Sequence, residues 1–129
     1  MAKRVFTSFD FDHDESLRTL LVGQAKNPDT PFEIHDWSVK EPFGATNWQD
    51  KVREKIRKVE QVIVLCGEHT HTATGVAAEL RITREEKKPY FLLRGYKDKT
   101  CTKPTSATAG DKIYEWTWEN LKNLIGGAR

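Results

Sequence analysis

The feature that most restricts the fold of this chain is a nearly uninterrupted apolar stretch, QVIVLC, at residues 61–66. Every residue after the first is apolar, and most of them are β-branched. Such a composition is typical of a strand in the middle of a parallel sheet, because that strand is covered on both faces. The chain must therefore supply a layer of structure on each side of a sheet that contains this strand.

Strand-like and helix-like segments alternate around this stretch. The other predicted strands lie at residues 4–9, 32–37 and 90–96, with a short one inside residues 112–127. The first predicted helix is marked by Leu17, Leu20 and Leu21, and the second by Trp48, Val52, Ile56 and Val59. The third is capped by Thr72 or Thr74 and runs to about Lys87, and the last is stopped by Gly126 and Gly127. This order predicts a flavodoxin-like, three-layer α/β fold, with one domain over residues 1–129 and a central parallel sheet of about four to five strands flanked by helices.

Composition and charge argue against several classes of function. The formal net charge is +2, and the basic residues are scattered among acids, so nucleic-acid binding is not expected. No apolar run approaches the roughly 18 residues of a membrane span, and Asp10 follows the first apolar residues too soon for a signal peptide. Cys66 and Cys101 lack a CxxC spacing and are expected to be reduced thiols. We therefore expect a cytoplasmic protein that binds neither nucleic acid nor membrane.

Four acidic residues crowd into SFDFDHDES, residues 8–16, where the first predicted strand ends. Asp12 and Glu15 have the spacing of a helix capping box, with Asp14 between them. Asp10 and Phe11 are not needed for that cap. Because sites in such folds lie beyond the carboxyl ends of the strands, these two residues are predicted at a ligand-binding crevice.

A metal-dependent phosphoryl-transfer or nuclease site is an alternative for the acids, using Asp10, Asp12 and Asp36. Such a site needs further carboxylates at later strand ends to hold Mg²⁺. A phosphate-receiving domain would need an aspartate where this chain has Cys66 and Gly67. The acids alone therefore do not decide between a cap and a catalytic role.

Two histidines, His69 and His71, follow the central strand. Residues two apart share one face of a strand and could hold a metal, but the sequence offers no evident third ligand. Histidines in a solvated loop are the simpler interpretation.

Glu79 falls on the inward arc of the third predicted helix, between Ile82 and Val76. Arg81 and Arg84 occupy the opposite side. An acid on a buried side is costly unless it has a partner or a function. The spacing alone is compatible either with pairing to a cation or with a role in a site.

Four stretches together resemble a TIR domain: VFTSF, FEIHDW, VREKIRKVEQVIVLCGEHTHTATGVAAEL and KKPYFLL. The likeness covers roughly residues 4–95 and is closest to the bacterial group that includes the NAD-consuming subunit of the Thoeris antiphage system. Within it, Glu79 followed by Leu80 matches the catalytic glutamate of the family. The stretch SVKEPFGATNW occupies the place of the family's mobile loop over the site.

The resemblance also implies a substrate pocket around Glu79. The predicted substrate-binding residues are Ser8, Phe9, Asp10, Phe11, Asp36, Trp37 and Trp48. Many TIR domains have a tryptophan four residues before the glutamate, where this chain has Gly75. Trp37 or Trp48 is expected to supply the missing aromatic surface.

The activity implied by the resemblance is cleavage of the nicotinamide–ribose bond of NAD⁺, giving an ADP-ribose-derived signal, linear or cyclic, in antiphage defence. NAD⁺ is then the substrate, and neither a cofactor nor a metal is expected. The implied partners are a separate effector protein that responds to the product, an activator of phage origin, and further copies of the chain. The rival hypothesis is a non-catalytic TIR-type interaction module, since a fold does not fix an activity.

Overall fold

The computed structural model describes residues 3–26, 30, 32–37, 48–96 and 98–125. The strands are β1 (Lys3–Ser8), β2 (Phe32–Trp37), β3 (Gln61–Cys66), β4 (Tyr90–Arg94) and β5 (Ile113–Glu115). The helices are α1 (Phe11–Ala25), α2 (Trp48–Arg57), α3 (Thr74–Glu85) and α4 (Trp118–Ile125), with a 3₁₀ turn at Thr70–Thr72 before α3.

All strand pairs in the described sheet are parallel, and the order across it is β2-β1-β3-β4-β5. This is the flavodoxin-like order, so the predicted fold class is confirmed. The chain leaves β1 for the edge strand β2 and then returns past β1 to β3. Between β1 and β3 the order reverses, and the carboxyl ends of these two strands form the crevice where such folds bind ligands.

β3 is buried along its whole length, as its composition predicts. Its alternate side chains enter two separate cores. Val62, Val64 and Cys66 pack with α2 and α3 on one face. Ile63 and Leu65 pack on the other face, in a core to which α1 and α4 contribute.

Two local predictions for the first helix were wrong. Leu20 is 61% exposed, although it was assigned to the buried side of the first helix with Leu17 and Leu21. α1 begins at Phe11, so Asp12 lies inside the helix and Asp10 immediately precedes it. Only two residues separate α1 from β1, so the helix begins earlier than predicted. Acidic residues in the first turn are still stabilising, because the N-terminal end of a helix carries partial positive charge.

α3 also differs at both ends from its prediction. Its N-cap residue is Ala73, which makes no side-chain cap, and the Thr72 hydroxyl instead donates to the His69 carbonyl oxygen. The helix ends at Glu85, because Lys87 turns into the left-handed region with φ 58°. The amide of Lys88 then donates to the Thr83 carbonyl oxygen, as in a Schellman ending.

The predicted loop after β4 has no helix or strand in its described residues. It crosses to β5 over the α2/α3 face, where Cys101 and Ala107 pack against the core. Within the described residues no helix is both long and apolar enough to cross a membrane. The predicted stop at Gly126 and Gly127 lies outside the described residues.

Candidate functional site

A buried carboxylate lies beside the carboxyl end of β1. Glu79 is 3% exposed, and its Oε1 accepts a hydrogen bond of 2.7 Å from the hydroxyl of Ser8. Ser8 is the last residue of β1, and it pairs in register with Val64 of the central strand. The two residues are 71 positions apart in sequence, so the fold alone brings them together at the reversal between β1 and β3.

Glu79 reaches this position because α3 lies against the sheet with Val76, Leu80 and Ile82 buried. The same arc that carries these apolar residues carries the glutamate. Thr83, one turn further along, donates its hydroxyl to the Glu79 backbone oxygen at 2.8 Å. The prediction that Glu79 faces inward is therefore confirmed, and its hydrogen bond to Ser8 shows a polar environment inside an otherwise apolar layer.

Trp48 is the aromatic residue next to this part of α3. A Cβ built on Gly75 would lie 4.0 Å from Cζ2 of the Trp48 indole. Trp48 begins α2 and is 6% exposed, in the same core cluster as Val76. An aromatic ring therefore lies against the glycine that replaces the family's tryptophan, although it comes from another helix.

Phe9 and Asp10 follow β1 directly and differ in placement. The ring of Phe9 is 2% exposed and belongs to the core on the α1/α4 face, opposite Glu79. A substrate-stacking role for this ring is not supported by that placement. Asp10 is 9% exposed and sits between the strand and the first turn of α1, at the crevice.

The remaining predicted pocket residues are described in their backbone alone. Phe11 opens α1, while Asp36 and Trp37 close β2, so their backbones are all near the carboxyl edge of the sheet. Their side chains lie outside what the structure describes. The loop expected to cover the site, residues 38–47, also lies outside the described residues.

The two histidines lie near the end of β3 on an exposed turn. The backbone amide of His71 donates to the hydroxyl oxygen of Thr102 at 2.9 Å, and Nδ1 of the His71 ring lies 3.0 Å from the same oxygen. The described residues hold no group of three or more His, Cys, Asp or Glu side chains placed to bind a metal.

The outer side of α3 is fixed to α2 by a network of ion pairs, which the sequence analysis did not predict. Arg53 contacts both Glu85 and Glu86, and Arg57 contacts Glu86. Hydrogen bonds from Arg57 and then from Arg53 lower the pKa of Glu86 to about 2. Hydrogen bonds from Arg53 also lower the pKa of Glu85. Ion pairs with α2 therefore stabilise the outer side of α3, the helix that carries Glu79.

Open clefts formed by described residues lie elsewhere. One, of about 350 Å³, lies at the ends of β4 and β5 and is lined partly by Leu20, Trp116 and Trp118. Another, of about 490 Å³, lies between the start of α3 and the loop at Thr105 and Ser106. Neither of these two clefts is lined by Ser8 or Glu79.

Comparison with known proteins gives one family. The family model described as Thoeris protein ThsB, TIR-like domain, matches residues 6–100, which include the end of β1, all of β2, β3 and β4, and the buried Ser8–Glu79 pair. No curated protein matches the chain.

Proposed function

Because the chain belongs to the family of Thoeris ThsB TIR-like domains, we propose that it cleaves the bond between nicotinamide and ribose in NAD⁺ as part of antiphage defence. The observation that carries this proposal is the buried Glu79 carboxylate, hydrogen-bonded to Ser8 at the reversal point of the sheet. A carboxylate in that place is expensive to bury, which favours a functional reason for it.

One carboxylate is enough for this reaction. The nicotinamide of NAD⁺ leaves as a neutral molecule from a ring that already carries positive charge, so no general acid has to protonate it. Positive charge then develops on the ribose, as in glycoside hydrolysis. Glu79 would stabilise that charge electrostatically, and a carboxylate fixed in advance does so without reorganising during the reaction.

The product depends on what captures the ribosyl cation. Water would give ADP-ribose, whereas a hydroxyl or ring nitrogen of the same nucleotide would give a cyclic product. The ring of Trp48 lies beside Gly75, next to the position where the family's tryptophan is expected, although it is 6% exposed and packs in the α2/α3 core. A separate effector protein would respond to the product.

The experiment that tests the proposal is incubation of the purified full chain with NAD⁺, with and without extract from phage-infected cells. Free nicotinamide is measured by chromatography, and the second product is identified by its mass. We expect equimolar nicotinamide and an ADP-ribose-derived product, formed equally well in excess chelator because the leaving group needs no metal activation.

Absence of nicotinamide in both conditions would contradict the proposal and favour the non-catalytic interaction module. Activity that disappears with chelator and returns with Mg²⁺ would instead favour the metal-dependent alternative built on Asp10, Asp12 and Asp36.

A further inference from the structure

We propose that Ser8 is a positioning residue for Glu79, and that it acts on the reaction through this carboxylate without touching the substrate. The inference rests on the proposed function and adds a second residue to the same site. Its starting point is the 2.7 Å hydrogen bond in which the Ser8 hydroxyl donates to Glu79 Oε1.

Burial separates this role from the substrate contact that the sequence predicted for Ser8. The side chain of Ser8 has 0% exposure, so the protein itself surrounds its hydroxyl. A hydroxyl has one proton to donate, and here the carboxylate receives it. Hydrogen bonds to a charged acceptor are short and roughly twice as strong as those between neutral groups, which suits a contact that fixes an orientation.

The strand makes Ser8 a rigid anchor. β1 lies between β2 and β3 and is hydrogen-bonded to both. A side chain on such a strand has little freedom to follow a moving partner. The flexible partner is Glu79, whose side chain has three rotatable bonds, so the hydrogen bond restricts the glutamate more than the serine.

The hydrogen bond is not needed to place α3 itself. Apolar packing of Val76, Leu80 and Ile82 holds its inner side, and ion pairs from Arg53 and Arg57 of α2 to Glu85 and Glu86 hold its outer side. The hydroxyl of Ser106 also donates to the Ala77 backbone oxygen at 2.7 Å. Loss of the Ser8 hydroxyl should therefore loosen the glutamate side chain, by removing one of the contacts that orient it, while leaving the helix in place.

A loosened carboxylate would weaken catalysis more than binding. Its charge stabilises the ribosyl cation, which exists near the transition state, and a misplacement of about 1 Å can cost on the order of a hundredfold in rate. An interaction used only in the transition state lowers kcat and leaves KM nearly unchanged.

The test compares Ser8→Ala and Ser8→Thr with Thr7→Val in the full chain, using nicotinamide release to obtain kcat and KM. Thr7 is the adjacent residue of β1, equally buried, and its Oγ1 has no hydrogen-bond partner. We expect Ser8→Ala to lower kcat by about tenfold to a hundredfold with KM within about twofold. Ser8→Thr keeps the hydroxyl and should recover most of kcat, while Thr7→Val should match the wild type.

A double mutant separates action through Glu79 from direct contact with the substrate. If Ser8 acts through the glutamate, adding Ser8→Ala to Glu79→Gln should not lower the residual kcat further. If the two losses multiply, the positioning role is overturned. If Ser8→Thr does not fold, as judged by its melting transition, Ser8→Cys replaces it and should fall between alanine and wild type, because a thiol is a weaker donor.

The outcomes distinguish this inference from the proposed function. An active wild type with a Ser8→Ala variant as active as Thr7→Val overturns the positioning role alone. A wild type that releases no nicotinamide under either condition overturns both.

Discussion

The two faces of the sheet are built differently, although the same strands supply both. On the α1/α4 face the core contains the rings of Phe9, Phe32 and Phe91. On the α2/α3 face the core also contains three aromatic rings, those of Phe6, Trp48 and Tyr90, but it borders the buried carboxylate of Glu79. Polarity is therefore concentrated on the face that carries the candidate site.

Neighbouring hydroxyls on β1 show the same contrast at single-residue scale. Ser8 donates to Glu79, whereas the equally buried Thr7 Oγ1 has no hydrogen-bond partner among the described residues. A buried polar group without a partner costs free energy of folding, and a partnered one costs little. The two neighbouring hydroxyls therefore differ in whether a hydrogen bond compensates their burial.

The strongest test of this contrast is Glu79→Gln. It keeps the side-chain volume and an oxygen that can accept from Ser8, but it removes the charge that would stabilise the ribosyl cation. Nicotinamide release should fall by about a hundredfold or more, and the melting temperature should hold or rise slightly.

The matched control is Glu85→Gln, the same change on the same helix. Glu85 lies on the outer side of α3 and pairs with Arg53 and Arg81. It should leave turnover unchanged. Equal turnover in wild type and Glu79→Gln would remove the glutamate from the proposed mechanism.

Packing on the α1/α4 face should be sensitive at Gly95, directly after β4. A Cβ there would overlap Leu17 Cδ1 and lie 3.0 Å from the Cys66 carbonyl oxygen. We expect Gly95→Ala to lower the free energy of unfolding by about 1–3 kcal/mol, measured by urea denaturation, because the core must shift to admit the methyl group.

Gly23 in α1 provides the opposite case. A Cβ on Gly23 would meet nothing within 4 Å, so Gly23→Ala should raise stability by about 0.5–1 kcal/mol. A Gly95→Ala variant as stable as Gly23→Ala would contradict the close approach of Gly95 to Leu17 and Cys66.

Much of this fold could be predicted from the sequence because burial leaves a direct pattern. The continuous apolar run of β3 and the stripe of Trp48, Val52 and Ile56 each match the observed burial. The exposure of Leu20 could not be predicted in the same way. Its helical spacing is that of a core residue, and only the tertiary arrangement determines which side of α1 meets the sheet.

The site was predictable in part for a related reason. Helical periodicity placed Glu79 on the buried side of α3, but it could not identify Ser8, 71 residues away, as the hydrogen-bond partner. The ring of Phe9 was assigned to the pocket from its motif, although alternation along β1 directs it to the opposite core. The ion pairs of Glu86 depend on the crossing of α2 and α3, which no local pattern encodes.

Thr7→Val should produce a change in stability comparable to that of Gly23→Ala. It replaces a buried hydroxyl that has no partner with a methyl group of similar size on the α1/α4 face. We expect the free energy of unfolding to rise by about 1 kcal/mol, because the unpaired hydroxyl no longer has to be desolvated. Ser8→Ala should change stability in the opposite direction, and a loss of stability in both variants would contradict the contrast between the two hydroxyls.

The smallest expected effect is a pH dependence from the outer layer of the α2/α3 face. Arg57 and Arg53 lower the pKa of Glu86 from the ordinary value of 4.5 to about 2. The folded state therefore stabilises the ionised form of Glu86 relative to the unfolded chain. This contribution to the free energy of unfolding is present above about pH 4.5 and is lost as the pH falls towards about 2.

Glu86→Gln should lower the urea midpoint near neutral pH, and the difference in midpoint between this variant and the wild type should shrink as the pH falls from about 4.5 to about 2. High salt should reduce the same difference, because the ion pairs are near the surface. Glu119→Gln serves as control, since Glu119 has no ion pair within the described part of the chain. A gap between wild type and Glu86→Gln that stays constant down to about pH 2 would mean that packing, and not charge, links α2 to the helix that carries Glu79.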